Sequence, residues 1–255
     1  MLLHHMSSNE VAAFLRTSDT IVIPIGSTEQ HGPTGLLGTD ALCPEGIAWA
    51  ASSQRPDKLV VAPTFNVGSA QHHLGFAGTI TLRPSTLIAA MNDWMSSLAR
   101  HGFRRIYWLN GHGGNTAPAR SAFAEWYASA SLSGGERRTA LHFRNWWELP
   151  GVYDMCKKLY GAAHGSHATP SEVAVTYALV PDAEKRLKPD GKLSPTIAPD
   201  GPVRDAADYK HRFPDGRIGS DPTLATAEDG QRIINAAVES LLRDLEKVAQ
   251  EDLDA

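Results

Sequence analysis

The sequence predicts an α/β protein built on a mostly parallel sheet with helices on both faces. Two observations lead there. Short apolar β-rich runs such as "TIVIPIG" and "KLVVAPTF" alternate with longer amphipathic helical stretches, the pattern of crossover connections. The 255 residues, 42% of them hydrophobic, suit one large α/β domain or two small ones, and residues 1–255 are read as a single unit.

The elements follow in order. Ser7 and Glu10 form a capping-box pattern that opens a helix with Val11, Phe14 and Leu15 as its apolar stripe. "TIVIPIG" reads as a buried strand that feeds a loop at Pro24 and Gly26. Residues 40–53 are Ala-rich and helical; "KLVVAPTF" is the next strand and "GTITL" a third. "RPSTLIAAMNDWMSSLARHG" is a helix with Pro84 near its start and Gly102 as its stop. "FRRIYWLN" is a strand followed by the loop "GHGGN", the helix "TAPARSAFAEWYASASLS" and a strand within "TALHFRNWWEL". Pro170 and Ser171 start another helix. Residues 186–222, rich in Pro, Gly and Asp, read as a long surface excursion, because the amphipathic helix after them is too small to be a domain.

Composition excludes several classes. Net charge is −4 and no Lys/Arg cluster interleaves with aromatics, which argues against nucleic acid. No run approaches the ~20 apolar residues of a membrane span. "MLLHHMSSNE" lacks the features of a secretory leader, so a cytoplasmic protein is expected. Cys43 and Cys156 form no Cys-x-x-Cys pair and read as buried thiols. Of the 11 His residues, His4 and His5 are assigned to a disordered start.

The chemistry gathers after strands. "STEQHGPTGLLGTD" sets Glu29, His31 and Asp40 on a loop, and His112 follows a second strand. In an open parallel sheet, ligands bind beyond the carboxyl ends of strands. Glu29 and His31, two residues apart in extended chain, suit one ligand for each of two ions. Asp40 can give one oxygen to each. Carboxylate plus imidazole without thiolate suits Zn, with Mn or Fe as alternatives. A cation also neutralises charges otherwise costly to gather.

Other residues have plain structural readings beside functional ones. Gly113 and Gly114 either offer amides to an anion or simply make a tight turn. Glu172 falls in the first turn of its helix, where the macrodipole favours a carboxylate. His167 has the residue type of a general acid–base. His72 and His73 could line the same edge, and Trp146 and Trp147 are core residues or the wall of a small pocket. No Gly-x-Ser-x-Gly elbow and no Cys beside a base is present, which removes the usual nucleophilic hydrolases.

Together "PIGSTEQHGP" through Asp40, "FAGTITL", "NGHGGN" and "SHATPSE" resemble the creatininase family of metal-dependent amidohydrolases, over roughly the first two thirds of the chain. The resemblance implies a three-layer α/β/α fold and a dinuclear centre. Glu29, Asp40 and His112 would hold one ion, His31 and Asp40 the other, with Asp40 and a nucleophilic water bridging. It implies His167 as the proton shuttle, Trp147 as a cover over a small-molecule substrate, and a homo-oligomer, commonly a hexamer. The chain departs from the family at several points. Enzymes acting on creatinine carry a Glu where Gly114 stands, so Glu172 is the candidate replacement ligand. Thr34 stands where a His is common, Ala77 where the family has Pro, and Ala163 where an aromatic is expected. Hydrolysis of a C–N bond in a small amide, cyclic amide or formamide is therefore expected, without creatinine itself being implied. The rivals are C–C hydrolysis of a cyclic polyol diketone and a catalytically silent metal- or metabolite-binding subunit.

Overall fold

The computed structural model describes residues 1–188, 193 and 201–254. In chain order the elements are α1 (Ser8–Phe14), β1 (Thr20–Ile25), α2 (Thr39–Gln54), β2 (Val60–Val61), α3 (Pro84–His101), β3 (Arg105–Asn110), α4 (Thr116–Leu132), β4 (Ala140–Asn145), α5 (Val152–Tyr160), α6 (Pro170–Leu179), α7 (Ala183–Leu187), α8 (Ala206–Arg212) and α9 (Ala227–Ala249). The strands form one sheet in the order β2-β1-β3-β4, and every pairing is parallel.

Every residue of β1 is buried. Ile21, Ile23 and Ile25 pack with Leu87, Met91 and Met95 of α3 and Trp126 of α4. Val22 packs on the other face with Ile47 of α2, Val175 of α6 and Ile233 and Leu241 of α9. A strand covered on both sides is encoded by a continuous apolar run, and helices on both faces make the expected three layers. Local signals hold as well. Ser7 and Glu10 form the capping box of α1. Pro84 is the first residue of α3, and Gly102 ends it at φ 107°, a conformation that favours glycine.

Strand order sets where a site can form. The chain leaves β1 for β2 on one side, then crosses to β3 on the other, so loops diverge beyond the carboxyl ends of β1 and β3. Gly26 and Gly111 stand at these two strand ends. A Cβ on either would collide with the carbonyl oxygen of Asp40. Two glycines thus let the first turn of α2 settle between the strand ends and carry Asp40 into the gap. Pro44 has no N–H to give that carbonyl four residues earlier, which leaves it free for the close approach.

Four expectations need correction. "GTITL" is no strand of the sheet: Ile80 makes a single antiparallel bridge with Thr28. Gly78 at φ 88° turns the chain before it and Pro84 starts α3 just after. β2 pairs only at Val60 and Val61, because Pro63 stands two residues on and cannot donate to a ladder. The start is ordered against the sheet, with Leu2 bridging Val61 and the Met1 ammonium donating to the Leu59 carbonyl at 2.9 Å. Nor are the described residues of 186–222 merely a surface excursion. Tyr209, Phe213 and Arg217 are buried, and the first two pack ring to ring. Residues 189–192 and 194–200 of that segment lie outside the described residues.

Candidate metal centre

Four elements deliver the site. The loop after β1 carries Glu29 and His31, α2 carries Asp40 in its first turn, the loop after β3 carries His112, and α6 carries Glu172 in its first turn. Glu29, His31, Asp40 and His112 are each at most 5% exposed, an expensive grouping unless positive charge joins them. Ligand-capable atoms of Glu29, Asp40 and His112 lie within 4.8 Å of one another, as do those of His31, Asp40 and Glu172. A third set joins Glu29, His31 and His167, and Asp40 belongs to both of the first two. Its Oδ2 lies 3.0 Å from His112 Nδ1, and its Oδ1 lies 3.0 Å from His31 Nε2.

The tautomers fit metal ligation. His112 Nε2 lies 3.0 Å from the Ser69 carbonyl, which can only accept, so Nε2 carries hydrogen and Nδ1 offers its lone pair. His31 Nδ1 likewise donates to the Glu29 carbonyl at 3.1 Å and turns Nε2 toward Asp40. His112 Nδ1 is 3.0 and 3.3 Å from oxygens of Asp40 and Glu29, yet Glu29 Oε1, Glu29 Oε2 and Asp40 Oδ2 are buried without a hydrogen bond. Such contacts need positive charge between them, either a proton on His112 Nδ1 or a metal ion held in its place. Two ligands each about 2.0–2.1 Å from a tetrahedral ion stand roughly 3.3 Å apart, so the observed separations match the edges of a coordination polyhedron.

Electrostatics agrees. Burial opposes charge on His31, but Asp40, then Glu172 and Glu29, outweigh it and raise its pKa to about 10. Burial likewise opposes charge on His112, and Glu29 and Asp40 raise it well above the usual range. Burial pushes Glu29 toward neutrality, yet His112 and His73 hold it well below the usual carboxylate range. The carboxylates thus gather protons where cations would bind.

Asparagines hold this frame. Asn115 Nδ2 donates to the Gly26 carbonyl at 2.9 Å and to Asn110 Oδ1 at 3.1 Å, while its Oδ1 accepts the Ser69 N–H at 3.0 Å. Asn110 donates to the His112 carbonyl at 2.6 Å. One buried side chain therefore ties both strand ends to the loop that orients His112. Gly114 is constrained too: a Cβ there would strike His112 Nε2 and the Ser69 carbonyl. Any side chain at position 114 would force His112 or the Ser69 carbonyl to shift. Glu172 Oε1 also accepts the Thr169 N–H at 2.5 Å, closing the capping box that fixes its direction.

A cleft of about 280 Å3 opens onto these groups, lined by Asp40, His112, Gly113, Trp147, His167 and Glu172 among others. Trp147 is half-buried and Gly113 exposed, whereas Trp146 is core at 1% exposure. His164 is on the wall, with Nε2 2.8 Å from Ser171 Oγ. His167 Nδ1 lies 4.0 Å from Glu29 Oε1. Burial, with His31 and His73 beside it, holds the His167 pKa well below the usual imidazole range, so the ring is neutral. A larger groove of about 400 Å3, lined by Thr20, Leu59 and Leu245, lies at the amino ends of the strands and contains none of the ligand sets.

Sequence reasoning left open or missed several of these groups. His73 is 2% exposed with Nε2 3.1 Å from Glu29 Oε1, while His72 instead stacks 6.2 Å from the His112 ring. Gln30 and Tyr209 also reach the site. Gln30 lies inside the motif that carries the candidate ligands but has no ligating or titratable group to signal it, and Tyr209 lies in the stretch expected to be a surface excursion.

The sequence profile of the creatininase family, described as creatinine amidohydrolase, matches residues 4–245. The chain belongs to the creatininase family. It is a hydrolase of that family, and the match extends well past the first two thirds of the chain, where the motifs lie. A mycofactocin precursor peptide peptidase of Mycobacterium tuberculosis (strain ATCC 25618 / H37Rv) is 30% identical over 238 residues, covering 89% of this chain and 84% of the relative. A 3-dehydro-scyllo-inosose hydrolase of Thermotoga maritima is 26% identical over 277 residues, covering 98% and 82%. Among solved structures, a creatinine amidohydrolase (creatininase) superposes with TM-score 0.84 at 21% identity, covering 98% of both chains. Creatininase structures described as a Zn–Zn type and as Mn share the fold at TM-scores of 0.82 and 0.83. The expected three-layer fold stands on this likeness. No helix among the described residues is long and apolar enough to cross a membrane.

Proposed function

We propose that this chain hydrolyses a C–N bond in a small polar amide, cyclic amide or formamide at a centre of two divalent ions, zinc first, with manganese or iron as alternatives. The carrying observation is Asp40, whose two oxygens face two separate imidazoles, one in each ligand set. In this reading Glu29, Asp40 and His112 hold one ion, and His31, Asp40 and Glu172 the other. Ions held there supply Lewis acidity toward a carbonyl and bring the pKa of water close to neutrality.

The remaining work belongs to the chain. Glu29 and Asp40 supply the negative charge that retains the ions. His167, neutral and beside Glu29, takes a proton from the attacking water and returns it to the leaving nitrogen. Trp147 and Gly113 line the cleft; Trp147 would orient a flat substrate and displace water, and the Gly113 amide would serve the reacting carbonyl. Glu172 occupies the role left by Gly114, which favours an active enzyme over a silent binding subunit. The proposal includes a cytoplasmic homo-oligomer, hexameric by family resemblance; two buried free cysteines suit a reducing compartment.

Purified protein loaded with zinc or manganese is offered lactams, formamides, short peptides and cyclic polyol diketones. Turnover of an amide that stops with chelator and returns with metal supports the reading. Cleavage of the diketone alone transfers the reading to C–C hydrolysis. No turnover of any class by protein carrying two ions favours the silent subunit.

A further inference from the structure

We propose that Gln30, with His73 and the Gly216 carbonyl, is the positioning unit of this centre: one side-chain amide dictates which nitrogen of His73 and of His167 carries hydrogen. The inference rests on the dinuclear reading above. Gln30 Oε1 accepts the Gly32 N–H at 2.9 Å, which identifies the two ends of the amide. Its Nε2 then lies 2.8 Å from His73 Nδ1, 2.9 Å from His167 Nε2 and 3.2 Å from the Gly216 carbonyl. Two hydrogens cannot serve three acceptors.

His167 Nε2 resolves the conflict, since it also lies 2.9 Å from the Gln30 backbone carbonyl, which can only accept. With hydrogen on His167 Nε2, three bonds form: Gln30 to His73, Gln30 to Gly216, and His167 to the Gln30 carbonyl. With hydrogen on His167 Nδ1, only the bonds from Gln30 to the two rings remain, and the Gly216 bond from Gln30 is lost. The three-bond arrangement wins.

Its consequences reach both parts of the site. His73 must accept at Nδ1, so its N–H edge at Nε2 faces Glu29 Oε1 at 3.1 Å. His73 is thereby excluded as a ligand and steadies the Glu29 charge instead. His167 must keep its lone pair on Nδ1, the nitrogen on the Glu29 side, as acceptance of a proton requires. The unit also binds the 206–220 segment to the centre. Tyr209 Oη donates to the same Gly216 carbonyl at 2.8 Å and its ring stands edge-on to His73 at 4.5 Å. Gly216 has φ 87°, and a Cβ there would overlap the Gln30 amide.

The test uses the full zinc-loaded chain with ¹⁵N-labelled histidine. Long-range ¹H–¹⁵N spectra of the wild type should show His73 and His167 both with hydrogen on Nε2. Gln30→Met should mix these tautomers and weaken zinc about 10–100-fold, the usual worth of a partner that orients ligands. His73→Met should weaken zinc comparably, while His73→Gln, whose amide can present an N–H in place of Nε2, should retain most of the affinity. A wild-type His73 with hydrogen on Nδ1, or a Gln30→Met protein with unchanged tautomers and zinc affinity, overturns the inference. A wild-type chain that binds no zinc overturns the dinuclear reading instead, and the wild-type tautomers still decide this one.

Discussion

Glu172→Gln isolates the second ligand set. The substitution keeps the shape of the side chain and an oxygen that can accept the Thr169 N–H, now bonded at 2.5 Å. The backbone half of the capping box, Glu172 N–H to Thr169 Oγ1 at 3.3 Å, is untouched. Helix α6 should therefore lose less than about 1 kcal/mol, and the metal-free protein should melt within about 4 °C of wild type. The loss falls on the ion. Outer partners of metal ligands are worth about 10–100-fold in affinity, and a direct carboxylate ligand should reach at least the upper end. A 100-fold loss is about 2.7 kcal/mol. Proton competition does not hide it. Burial first, aided by Asp40 and opposed by His31, lifts the Glu172 pKa to about 7. Half the wild-type carboxyls must then shed a proton at pH 7, a cost of only about 0.4 kcal/mol. Zinc competition against a fluorescent chelator, with elemental analysis after dialysis, should find one ion retained per chain and the other weakened about 100-fold. Two ions held at wild-type affinity would refute Glu172 as a ligand and return Gly114 to an open coordination position.

Three further outcomes are expected. His167→Ala should leave both ions in place and lower turnover about 10²–10⁴-fold; loss of an ion on elemental analysis would make His167 a ligand. Zinc affinity should rise with pH about tenfold per unit for each proton displaced, because His31, raised to about 10 against its own burial by Asp40, Glu172 and Glu29, is protonated at neutrality. The sign carries over to stability. A raised histidine contributes fully below its unfolded value near 6.5 and loses its contribution as pH climbs through 10. Melting of the metal-free chain should therefore fall over that window while the zinc-loaded chain holds, and calorimetry in buffers of different ionisation enthalpy should count the protons released. Gly114→Ala should destabilise the chain by about 1–3 kcal/mol and weaken the ion at His112, because the new Cβ strikes His112 Nε2 and the Ser69 carbonyl. Unchanged melting and metal content would contradict that close approach.

How far the sequence reveals the site depends on the range of each interaction. The capping box at Ser7, the helix start at Pro170, the stop at Gly102 and the apolar run of β1 are set by neighbours within a few residues, and all are legible. So is the gathering of Glu29, His31 and His112, which follow strands that the topology aligns, with Asp40, which the first turn of α2 brings between those strand ends. His73, Gln30 and Tyr209 are not legible in the same way. Gln30 is placed by hydrogen bonds spanning 43, 137 and 186 positions of chain, and Tyr209 by a ring contact with the distant His73; no local period encodes these. "GTITL" misleads because β-branched residues meet strand propensity while Gly78 and Pro84 leave no room to pair. The 186–222 stretch misleads because Pro, Gly and Asp mark irregular backbone, and irregular backbone is usually exposed; here Tyr209 and Arg217 are buried, and the Tyr209 ring stands edge-on to His73.

Anomalous diffraction at the zinc edge, from crystals grown with excess zinc, bears most directly on the dinuclear centre. Two peaks about 3.5–4 Å apart should flank Asp40, one beside His112 Nδ1 and Glu29, the other beside His31 Nε2 and Glu172. A single peak, or density away from Asp40 with those imidazoles bonded only to carboxylates, would contradict a shared carboxylate between two ions.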